Sequence, residues 1–179
     1  MVRACLGVIL AVQCNGWTLS IRMDDLTVAR AIHVIGVVFW IGGVGFVTTV
    51  LLPGVRRMKD PQERVSFFER IEKRFAWQAR VTTLLVGASG FYITTVWNLW
   101  GRFESATYWW MHAMVMVWMV FTLVLFVAEP LFLHRWFLVK AMEKPESTYR
   151  LIERMHWILL TISTVTVLGA VAGSHGMVF

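Results

Sequence analysis

The chain has 179 residues, 58% of them hydrophobic, and a mean hydropathy of +0.63. That composition excludes a disordered chain and argues against a water-soluble domain. The formal net charge of +6 does not point to nucleic acid, because the Lys and Arg residues sit between apolar stretches rather than in a binding patch.

Residues 1–22 form an N-terminal segment of their own. Val2-Arg3 followed by Ala4–Val12 has a signal-like positive start and apolar middle, without a small-x-small cleavage site. Met23 offers an alternative natural start that leads directly into the first strong span. Cys5 and Cys14 form no CxxC pair and read as incidental thiols.

Four stretches then lack Lys, Arg, Asp and Glu: Ala31–Leu52, Val81–Gly101, Ser105–Ala128 and Met155–Phe179. A hydrocarbon core of about 30 Å is crossed by roughly 20 helical residues. The expected fold is all-α, an integral membrane bundle of four transmembrane helices over residues 23–179, with spans near 29–52, 78–101, 107–133 and 153–175. Pro53-Gly54 is expected to end the first span. Val65, Phe68, Ile71, Glu72 and Phe75 recur at helical spacing, which predicts an amphipathic cytoplasmic extension leading into the second span. Glu129-Pro130 is expected to break or kink the third span. Lys144-Pro145-Glu146-Ser147 marks the turn before the fourth.

Lys and Arg crowd the loops 53–80 and 134–154 and are nearly absent between spans two and three. By the positive-inside rule those two loops are cytoplasmic and both chain ends lie outside. Trp97, Trp100, Tyr108, Trp109 and Trp110 then gather at the outer interface, and Trp136 and Trp157 at the inner one, as anchors.

Histidines carry the functional reading. Along an ideal helix His33 lies about 28 Å from Leu52 and His112 about 25 Å from Glu129, so both fall at one outward level. His175 sits at the rim, and His134 and His156 belong to the inner side. Ionisable residues within spans usually face the bundle interior. Two imidazoles from different helices at one depth suit the two axial positions of haem b. Gly36 and Trp40 share the His33 face at i+3 and i+7, and Arg30 lies one turn outward as a propionate partner. Met116 and Met119 share the His112 face, and thioethers bind Cu(I) or haem iron. Haem b is therefore expected on His33 and His112, with Met116 as an alternative second ligand; copper is the competing cofactor, with His175 and Met119 as weaker ligands. No carboxylate pair, Ser/His/Asp set, P-loop or H-E-x-x-H is legible.

Ala29-Arg30-Ala31-Ile32-His33-Val34-Ile35-Gly36-Val37-Val38-Phe39-Trp40-Ile41-Gly42-Gly43 resembles the opening helix of HemJ-type protoporphyrinogen oxidases. Its H-x6-W-x-x-G pattern is also similar to one in CopD-like copper-resistance membrane proteins. Ile71-Glu72-Lys73-Arg74 resembles the HemJ E-K-R segment, Trp110-Met111-His112 its W-L-H, and Arg150 the arginine before its last shared helix. The resemblance covers Leu26–Gly173. It implies a four-helix haem b bundle in the bacterial inner membrane, with His33 and His112 as functional histidines. Met114 stands where HemJ has lysine, Glu153-Arg154-Met155-His156 stands where it has N-E-x-P, and R-L-F is missing after Phe46. The expected function is thus a haem protein with an electron-transfer or redox role, an oxidoreductase if it is an enzyme. CopD-like copper handling and HemJ-like protoporphyrinogen oxidation are the alternatives. The partners implied are the lipid bilayer, a redox protein or quinone, and a second copy of the chain.

Overall fold

The computed structural model describes residues 25–177. The expectations for residues 1–22 lie outside that range. The described residues are helical or in short connections, without strands. Helix α1 spans Asp25–Arg56, α2 Pro61–Val96, α3 Ala106–Leu133, α4 His134–Glu143 and α5 Pro145–Ser174.

Three of these helices, not four, are long and apolar enough to cross a membrane: α1, α3 and α5. Helix α2 differs because its 36 residues join a charged half to an apolar half. The expected second span to Gly101 is cut short. The helix stops at Val96, Asn98 adopts a positive φ of 51°, and Trp100–Glu104 forms a 3-10 turn. Asparagine tolerates that left-handed conformation better than most residues. The start of α2 follows its sequence signals. Pro61 occupies the first turn and the Asp60 carboxylate accepts from the Gln62 amide at 3.0 Å.

The stop expected at Pro53-Gly54 is overrun, and at Glu129-Pro130, where a break or kink was expected, the chain is rewound without a break. Helix α1 continues through Pro53 to Arg56, after a π-helical turn at Val47–Leu51. Helix α3 continues through Pro130 into α4, with Val124–Leu133 wound as a wide π-helix. Proline clashes with the carbonyl four residues back and lacks an N–H. Wider winding lets the chain pass both prolines while remaining helical.

The amphipathic half of α2 extends the bundle. Val65 and Phe68 pack with Leu52 and Val55 of α1, Phe137 and Ala141 of α4, and Tyr149 of α5. A second core, of Trp40, Val44, Val86 and Phe121, lies farther along α1. Arg64, 6% exposed, ties the turn after α1: it donates to the Met58 carbonyl at 2.6 Å and to Glu146 at 2.8 Å. Elsewhere the exterior is apolar, with Val38, Phe91, Met116 and Leu168 exposed.

Small residues set the helix spacing. A Cβ at Gly169 would stand 2.5 Å from the Trp109 ring, and one at Gly173 would run into Trp110. Trp110 is therefore buried against α5 and is not the interfacial anchor expected of it. A Cβ at Gly36 would meet the Val86 side chain at 2.8 Å. This glycine allows α1 to approach α2.

Candidate functional site

The histidine layer. His33 of α1 is half-buried and turned onto α2. Its Nδ1 lies 3.1 Å from the Val86 carbonyl oxygen and 3.1 Å from Ser89 Oγ. A carbonyl only accepts, so Nδ1 carries the proton and Nε2 holds the lone pair. Trp40, two turns along α1, is 3% exposed and meets Phe121 edge-on at 4.9 Å. Arg30 lies over the Trp97 ring at 5.2 Å.

His112 is placed differently. It is exposed, its Nε2 donates to the Phe103 carbonyl at 3.0 Å, and its ring stands edge-on to Phe103. Phe103 stacks beside Trp100, which packs on Phe91 of α2. Phe91 is two residues from Ser89, and two residues turn a helix by roughly 200°. The His33 ring also lies against Gly90, so His33 and the aromatic row that holds His112 occupy different faces of α2. No hydrogen bond or ring contact joins the two histidines. Met116 and Met119 are 67% and 51% exposed. His175 is exposed at the end of α5 and donates from Nδ1 to the Val171 carbonyl at 2.8 Å. Among the described residues no group of three or more His, Cys, Asp or Glu side chains is arranged to hold a metal ion.

The inner cavity. A cavity of about 180 Å3 lies between the helices below Trp40. Its wall is mainly aliphatic and aromatic, but Glu72, Glu129 and His156 also line it. No carboxylate pair was legible from sequence; the fold assembles this one from α2 and α3. Glu129 forms an ion pair with Arg80. The Arg80 Nε also donates to the Leu125 carbonyl at 3.0 Å. In a π-helix that carbonyl would accept from the amide of residue 130. Pro130 has no amide hydrogen, and Arg80 takes its place.

Glu72 has no hydrogen-bond or ion-pair partner among the described residues. Burial pushes its carboxyl up to about 7, with the nearby Glu129 and Glu69 charges adding and Lys73 opposing. His156 commits Nδ1–H to the Ile152 carbonyl at 2.9 Å, leaving Nε2 as an acceptor. The signal for this cluster was present. Glu72 falls on the stripe of Val65, Phe68 and Phe75, where an apolar residue belongs. Pairing it with Glu129 required the packing of α2 on α3.

No family model, curated protein or solved structure matches this chain.

Proposed function

We propose that this chain is an integral membrane bundle of four transmembrane helices, with the apolar half of α2 as the fourth, and that it binds haem b in an electron-transfer role. Loops 53–80 and 134–154 then face the cytoplasm and both ends face outward. Three helices of sufficient length and an apolar exterior support the membrane reading.

The observation that carries the haem reading is the His33 ring. An imidazole whose Nδ1–H is held by a backbone carbonyl is fixed in orientation and tautomer, and its free Nε2 becomes more basic. Val86 supplies that carbonyl. The donor chemistry therefore fits an axial ligand. The packing supports attachment through His33 alone, because His112 is held on another face by Phe103. This reading places haem at His33 and not in the inner cavity, whose 180 Å3 falls below the ~300–1,000 Å3 of ordinary small-molecule pockets. When bound, haem supplies one-electron chemistry tuned by its axial ligand.

The test is the absorption spectrum of purified protein after haem supplementation. A Soret band and a reduced α-band are expected, lost in His33→Ala and retained in His112→Ala. Absence of both bands rejects the haem reading. Stoichiometric copper without haem would replace it with copper handling.

A further inference from the structure

The inner cavity has the size of a single six-membered ring. Its volume is about 180 Å3; an apolar protein cavity of ~150 Å3 is known to admit benzene. This cavity is not uniformly apolar. Trp40 lines it, is 3% exposed, and its indole N–H has no partner. A buried donor left unbonded is costly and rare. Glu72 is likewise unpaired, and His156 has a free acceptor nitrogen. Glu129 is already engaged by Arg80.

These groups select among guests. A hard cation wants about six or more oxygen ligands. The wall offers two carboxylates, one of them spent on Arg80, beside an N–H that repels positive charge. A neutral ring bearing oxygens fits better. Its carbonyl or hydroxyl oxygen can accept from Trp40, and its hydroxyl can donate to His156 or Glu72. Aromatic walls from Phe75 and Phe121 suit a flat guest. Access also has a direction. Met155 and Trp136 line the cavity yet are 46% and 39% exposed on the apolar outside. A guest dissolved in lipid would enter there, where residues of the cavity wall are also part of the outer surface.

We infer that this cavity binds the ring of a small lipid-soluble molecule carrying hydroxyl or carbonyl oxygens, a phenol or quinone-type head group, with Trp40, Glu72 and His156 as its hydrogen-bonding partners. The site is separate from His33, so it stands or falls independently of haem.

Fluorine NMR on the full chain in phosphatidylcholine nanodiscs tests it, with 4-fluorophenol as the probe and fluorobenzene as its oxygen-free counterpart. Saturable one-to-one binding of 4-fluorophenol is expected, on the order of ten-fold weaker in Trp40→Phe, where one hydrogen bond is removed and the aromatic wall is kept. Glu72→Gln should change the affinity in the same assay while the chain remains folded. Partition into lipid alone, tighter binding of fluorobenzene, or equal affinity in wild type and both variants would overturn the assignment.

Discussion

Glu72→Gln is the most direct probe of the inner cavity. Glu72 has its carboxyl raised from 4.5 to about 7, first by burial and then by Glu129 and Glu69. The folded chain therefore holds that proton more tightly than the unfolded chain does. Between about pH 4.5 and 7 the folded state binds more protons, so stability falls as pH rises through this window and levels off above it. At ~1.4 kcal/mol per pH unit the interval corresponds to about 3 kcal/mol. Wild type is thus expected to lose about 3 kcal/mol from this group between acid and mildly alkaline pH. E72Q has nothing to titrate there and should lose none of it. The two proteins should be equally stable near pH 4, with E72Q ahead by about 3 kcal/mol above roughly pH 8. The measurement is unfolding in detergent followed by near-UV circular dichroism across that range, read as the difference between the proteins. Other groups around the cavity, including His156, Glu129 and Arg80, are present in both proteins, and the subtraction removes them to first order. Parallel curves for wild type and E72Q would refute the reasoning, because they would show a carboxyl that ionises as it does in water.

Two contrasts test the packing. Gly169→Ala places a Cβ 2.5 Å from the rigid Trp109 ring and should cost ~1–3 kcal/mol, whereas Gly42→Ala meets nothing within 4 Å and should be neutral or slightly stabilising. Thermal midpoints compare them, and equal effects would discount glycine-mediated contact between α3 and α5. Arg64→Ala leaves the Met58 carbonyl and Glu146 without their buried partner. It should destabilise the chain by about 2–4 kcal/mol and open the turn after α1 to limited proteolysis. A loss below ~0.5 kcal/mol, typical of a surface substitution, would remove Arg64 from the core.

Some of this architecture is written locally in the chain. Long uncharged runs can bury their backbone polar groups only as helices in an apolar environment, so α1, α3 and α5 were legible from hydropathy. The stripe of Val65, Phe68, Ile71, Glu72 and Phe75 announced the amphipathic half of α2. Local rules misled where a local cost was met from a distance. Pro130 reads in isolation as a break or a kink; Arg80 on another helix satisfies the carbonyl it orphans, and the chain continues as a π-helix. Residue counting along ideal helices assigns His33 and His112 one depth. Depth says nothing of azimuth, and helix rotation turns one ring onto Val86 and the other toward Phe103. Glu72 stands out on its apolar stripe and Glu129 beside Pro130, but the two are distant in sequence and nothing local pairs them. Only the antiparallel packing of α2 on α3 brings them to one cavity, because side-chain proximity between helices depends on rotation and register that hydropathy does not encode.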